Sequence, residues 1–173
     1  MKQTSSLWQW LGFGIATLGG TILHFLYDWT GGSIWVAPFS GVNESTWEHM
    51  KLLFWPLFLF AVVQRLFWGE QESFWQVKLR SILLGLVLIP VLFYTCNGAF
   101  GKSPDWLNIA IFYLCAGLAF LFERRTLKAT RHTSLPALVA LCLVGALFVV
   151  FTFAPPRIPL FQDPLTGVYG IGI

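Results

Sequence analysis

Charge is what this sequence has least of. Only 11% of its residues are Asp, Glu, Lys or Arg, while 56% are hydrophobic. Soluble domains carry about a quarter charged residues, so a chain this poor in them cannot cover a water-facing surface, and its solvent has to be largely lipid. The net charge of +3 is too small to read a nucleic-acid partner from. Cysteine is scarce as well. Cys96, Cys115 and Cys142 show no CxxC spacing, which excludes a dithiol redox centre, a c-type haem attachment and a thiolate-based structural zinc site. Long polar stretches are absent too, leaving no room for a separate soluble module in 173 residues. One membrane domain spanning 1–173 is expected.

What the chain does have is apolar runs. Five of them, at 7–27, 47–67, 81–100, 106–122 and 135–153, are long enough to cross about 30 Å of hydrocarbon as helices. The expected fold is therefore all-α, a polytopic membrane bundle of five transmembrane helices. The first run is longer than the apolar part of a secretory signal and no small-x-small cleavage site follows it, so it reads as a retained helix.

Basic residues set the expected orientation. Lys2, Arg65, Lys78, Arg80, Arg124, Arg125, Lys128 and Arg131 fall on one side of the five runs, against Lys51, Lys102 and Arg157 on the other. This places the N-terminus in the cytoplasm and the C-terminus outside. Trp29, Trp35, Trp47, Trp68, Trp75 and Trp106 stand near the run ends, as an aromatic belt would.

The polar residues that remain are concentrated. Asn43, Glu44, Glu48, His49 and Lys51 stand at the start of the second run, and His24 and Asp28 end the first. Ionisable groups beside hydrocarbon are costly, so they pair, bind something or snorkel. His24 and Asp28 continue a row of small residues, Gly12, Ala16 and Gly20, whose spacing of four lets another helix approach closely. If the second helix starts at Asn43, then Glu44, Glu48 and Lys51 share a face and His49 points about 100° away. Ser45 and Glu48 also match a capping box, which would explain Glu48 without any site.

A shared outward-facing site is the sharper reading. His24, Asp28, Glu44, Glu48 and Lys51 are its expected catalytic residues, with Asn43, His49, Asn97, Arg157 and Asp163 as additional members. His24, Asp28 and Glu48 are the expected ligands of a divalent metal such as zinc, although their spacing is no established metal motif. The tail, 154–173, is apolar, poor in charge and rich in Pro and Gly. It is expected to be extracytoplasmic and packed over the outer face.

The stretches His24-Phe-Leu-Tyr-Asp28-Trp-Thr-Gly-Gly, Asn43-Glu-Ser-Thr-Trp-Glu-His-Met-Lys51 and Pro155-Pro-Arg-Ile-Pro-Leu-Phe-Gln-Asp-Pro-Leu-Thr-Gly-Val-Tyr-Gly170 together resemble an uncharacterised family of small bacterial multi-helix integral membrane proteins. The resemblance covers most of the chain. It implies a multi-pass protein of the bacterial cytoplasmic membrane and carries no reaction, substrate or catalytic residue.

Three functions are compatible with these residues. The first is a metal-dependent or acid-base enzyme acting on a lipid or other membrane-associated substrate, with Lys51 neutralising an anionic headgroup. The second is a small transporter, ion or proton pathway or ligand-binding protein. The third is a structural subunit of a membrane complex, in which the polar cluster only caps helices. The bilayer is the expected partner in each, and a homo-oligomer is compatible with all three.

Overall fold

The computed structural model describes residues 2–68, 73–101, 103–126 and 135–172. Five helices make up most of them: α1 (Lys2–Trp29), α2 (Thr46–Trp68), α3 (Phe74–Phe100), α4 (Asp105–Thr126) and α5 (Leu135–Phe153). All five are long and apolar enough to cross a membrane. Among the described residues there is no strand, only an isolated antiparallel bridge between Gln162 and Tyr169. Lys102, Lys128 and Arg131, three of the basic residues that set the expected orientation, lie outside the described residues.

The exterior of the bundle is apolar. Trp10, Leu18 and Ile22 on α1, Val87 on α3 and Leu143 and Val150 on α5 are all exposed, an arrangement that water would penalise and hydrocarbon would not. The core lies around α2, which buries 56% of its most apolar window against 22–33% for the other four helices. It packs against α1, α3, α4 and α5.

Small residues allow the close contacts. A Cβ on Gly20 would stand 2.5 Å from the Phe112 ring and 3.0 Å from the Leu52 carbonyl oxygen. Gly20 thus lets α1 touch both α2 and α4. Ala16, one turn earlier, is fully buried. Pro56, inside α2, packs against the bare Cα of Gly19.

The helix bounds differ from the apolar runs in two places. α2 begins at Thr46 and not at Asn43, leaving Glu44 in the preceding turn. α3 begins at Phe74, well before the run at Ser81, because Lys78 is neutralised inside the bundle: its Nζ lies 2.6 Å from Glu123 Oε1 on α4, and both side chains are buried. Its ammonium also stands over the rings of Phe74 (5.4 Å) and Phe60 (5.7 Å). Of the belt tryptophans, Trp29, Trp35 and Trp106 are exposed whereas Trp47 and Trp75 are buried in the core.

One end of the bundle gathers the C-termini of α1, α3 and α5 and the N-termini of α2 and α4. The connection 30–45 folds back over it. Ser40 Oγ accepts the Tyr27 N–H (2.8 Å) and donates to the Leu23 carbonyl, and the Trp55 indole donates to the Pro38 carbonyl at 2.9 Å. The chain after α5 closes over the same end. Phe161, in a 3-10 turn at Pro159–Phe161, joins Trp47, Phe148 and Phe151 in an aromatic cluster. Asn43 Nδ2 donates to the Gly170 carbonyl at 2.9 Å. Gly170 has φ +56°, and a Cβ there would lie 2.6 Å from the Thr152 oxygen, so only glycine fits. Arg65, Arg80, Arg124 and Arg125 lie at the opposite end.

Candidate functional site

The polar residues at the closed-over end form two separate groups. The first is buried beneath the connection. Lys51 and Glu48 are three residues apart on α2, and Lys51 Nζ lies 2.5 Å from Glu48 Oε2, with the two side chains 0% and 2% exposed. The ammonium donates further to the Ala37 carbonyl (2.8 Å) and to Thr152 Oγ1 (2.9 Å). Its three donors are therefore all used. Glu48 also accepts the Val42 N–H at 3.1 Å. This pair ties together the connection, α2 and α5.

The capping box is half formed for the same reason. The Glu48 N–H donates to Ser45 Oγ at 3.4 Å, but the Ser45 N–H turns to Asn43 Oδ1 at 2.8 Å and the Glu48 carboxylate is taken by Lys51.

The second group is His24, Glu44 and His49. Because α2 starts at Thr46, Glu44 is free to turn back between the two imidazoles. His24 Nε2 lies 3.6 Å from Glu44 Oε1, and His49 Nε2 lies 3.5 Å from Glu44 Oε2. One donor atom from each of the three residues falls within 4.8 Å of the others. The two rings meet edge to face with centroids 5.6 Å apart. These spacings are long for N–H···O bonds. They approach the separation of about 3.3 Å between two ligands of one tetrahedral zinc with bonds of about 2.0–2.1 Å. Interaction with the His24 ring, assisted by His49, holds the Glu44 carboxyl below its ordinary value of 4.5 against the opposing effect of burial.

The tautomer of His49 is set locally. Its Nδ1 lies 2.9 Å from the Ser45 carbonyl oxygen, one turn back on the chain. A carbonyl only accepts, so Nδ1 carries the proton and Nε2 faces Glu44. In the neutral ring that puts a lone pair opposite a carboxylate oxygen, an arrangement that a cation or a second proton relieves.

Two cavities meet at this group. The larger, of about 640 Å³, lies between α1 and α4 and reaches His24, Glu44 and His49 past Gly20, Phe25 and Phe112. The smaller, of about 100 Å³, is bounded by Glu44, His49, Asn97, Ser103 and Asn108. Asp105 lines both.

Of the remaining residues expected at the site, only Asn97 lines either of the two cavities. Asp28 is exposed at the end of α1. Asn97 spends its side chain on the Phe93 carbonyl (2.8 Å) and the Ser103 N–H (2.8 Å), and it closes the α3–α4 turn. Asp163 is buried and shapes its own turn by accepting the Leu165 and Thr166 N–H groups. Arg157 is exposed. Of the proposed metal ligands, His24 therefore sits with Glu44 and His49, while Glu48 belongs to the ion pair and Asp28 to the surface. Ser103, Asp105 and Asn108 were not singled out from the sequence. Asn108, a lone amide in an otherwise apolar run, was the available signal.

The model of a family of unknown function, DUF6512, matches residues 1–171 of the chain. No curated protein and no solved structure matches it.

Proposed function

Because the chain belongs to DUF6512, to which no function is attached, we propose a function from the site alone: a multi-pass membrane protein that binds a divalent metal through His24, Glu44 and His49 and uses it in hydrolytic or acid-base chemistry on a membrane-associated substrate. The site end faces outward and the N-terminus lies in the cytoplasm, in keeping with Arg65, Arg80, Arg124 and Arg125 at the opposite end.

The observation that carries this reading is the His49 ring. Its Nδ1 is held by the Ser45 carbonyl and its Nε2 points at a carboxylate shared with a second imidazole. Backbone orientation of the distal nitrogen is the usual support of a metal-bound histidine. Two histidines and one glutamate are also the donor set of hydrolytic zinc centres, which leave a position open for water. A metal bound there supplies a water with a pKa of about 7 and a Lewis acid. The chain's own part is to keep Glu44 ionised, to hold both imidazoles at their Nε2 atoms and to present the open position to the larger cavity. Asp105 is the further carboxylate within that cavity.

A transport pathway is less well supported, since α2 is apolar throughout from Leu52 to Val63 between the site and Gln64. The test is the metal content of the purified protein. Wild type should hold one equivalent of a divalent transition metal, or take it up from zinc after stripping with chelator, while Glu44→Gln and His49→Ala lose it and still melt cooperatively. A wild type that neither retains nor takes up metal would overturn the proposal.

A further inference from the structure

Resting on that reading, we infer the class of substrate: a single-chain ester or amide amphiphile with a small, uncharged, hydroxylated head, whose chain enters sideways between α1 and α4 and whose head lies against Ser103 and Asn108. Glu44, His49, Asp105, Asn108, Phe112 and Leu165 line both cavities, so the bond joining head to chain, at their junction, lies beside the ligands Glu44 and His49.

The larger cavity has the character of a chain site. Phe25 on α1 and Ile109 and Tyr113 on α4 line it and are also exposed on the outer surface of the bundle. Its mouth therefore opens through the flank of two helices that cross hydrocarbon, where an acyl chain already resides. Below the mouth, Gly20 against Phe112 closes the cleft, giving it a floor. Its volume of about 640 Å³ falls in the range of sites that enclose most of a small amphiphile.

The smaller cavity has the character of a head site. Ser103 is only 6% exposed, and its hydroxyl oxygen, like Asn108 Oδ1, is buried without a hydrogen-bond partner among the described residues. Buried polar atoms are nearly always paired, and a hydroxylated head supplies both a donor for Asn108 and a partner for Ser103. Glu44 and Asp105 both line these cavities. An anionic head is therefore disfavoured. About 100 Å³ is room for several waters and hence for a head of a few heavy atoms. Hydrolysis at the junction needs no other reactant. The oxygen of water bonds to the acyl carbon, the acyl bond to the head breaks, and the released head oxygen or nitrogen takes the proton, leaving a fatty acid.

The probe is 1-oleoylglycerol with a photoreactive diazirine in its chain, applied to chelator-stripped protein in phosphatidylcholine nanodiscs, so that binding is read without metal. Label should fall on the facing segments of α1 and α4 and be displaced by unlabelled oleoylglycerol but not by oleoyl lysophosphatidylglycerol. Ser103→Ala and Asn108→Leu should each cut labelling about fivefold, the loss of one ordinary hydrogen bond. Ile109→Trp should block the mouth without touching the head site. Label spread evenly around the bundle, equal displacement by the anionic lipid, or labelling indifferent to both Ser103→Ala and Asn108→Leu would each sink the substrate class. None of these results bears on metal content, so failure here and failure of the metal reading are told apart.

Discussion

Lys51→Met is the substitution with the most calculable consequence. Methionine keeps the length and much of the apolar stem but removes a charge and three donors. Glu48, 2% exposed, would keep only the Val42 N–H, and the Ala37 carbonyl would lose its Lys51 donor. Breaking a buried pair by removing one partner costs about 3–5 kcal/mol, because the other charge stays in place without compensation. At about 2–4 °C per kcal/mol for a chain of this length, the thermal midpoint should fall by about 6–20 °C. Tryptophan fluorescence or near-UV circular dichroism in detergent would read it. The double variant Glu48→Gln/Lys51→Met removes both charges and should recover most of the loss. A single variant that melts within about 2 °C of wild type, too little for any buried pair, would refute the claim that Glu48 and Lys51 hold the connection on the bundle.

Three further outcomes follow from particular contacts. Gly170→Ala forces a left-handed φ on alanine and drives its Cβ toward the Thr152 oxygen. It should cost about 1–2 kcal/mol from the backbone alone and speed proteolysis of the tail, measured by limited digestion. Glu123→Leu strands the Lys78 ammonium and should destabilise by about 3–5 kcal/mol, whereas Glu123→Leu with Lys78→Met should not. Since the carboxyl of Glu44 is held below its ordinary value of 4.5, the stability that its contacts with protonated imidazoles add is full just above that value, fades at higher pH as the rings lose their protons, and is lost as the pH falls through the lower, folded-state value. The melting difference between wild type and Glu44→Gln should therefore be greatest just above the ordinary value and vanish in stronger acid.

Much of the fold was legible because hydropathy over about twenty residues answers one question, whether a helix can cross hydrocarbon. It says little about where a helix starts. Thr46 as the first residue of α2, in place of Asn43, frees Glu44 from the helix face and lets it meet His49, a register change of one turn that decides which carboxylate joins the histidines. The row through Gly12, Ala16, Gly20 and His24 drifts by about 40° per step, and by Asp28 it has turned to the surface. Glu48 and Lys51 could be placed on one face of α2, but not opposite Ala37 and Thr152, since those contacts depend on how the connection and α5 pack. Lys78 and Glu123 were hidden for a different reason. Lys78 stands beside other charges ahead of an apolar run and counted only toward orientation, Glu123 was not singled out, and their pairing joins positions 45 residues apart.

The central claim is that His24, Glu44 and His49 hold a metal together, and X-ray absorption at the edge of the bound ion tests it most directly. Two imidazole nitrogens and a carboxylate oxygen at about 2.0–2.2 Å are expected for the wild type, with one imidazole lost in His24→Ala and one in His49→Ala. A bound ion whose shell contains sulfur, or whose imidazole count is unchanged in both variants, would contradict it.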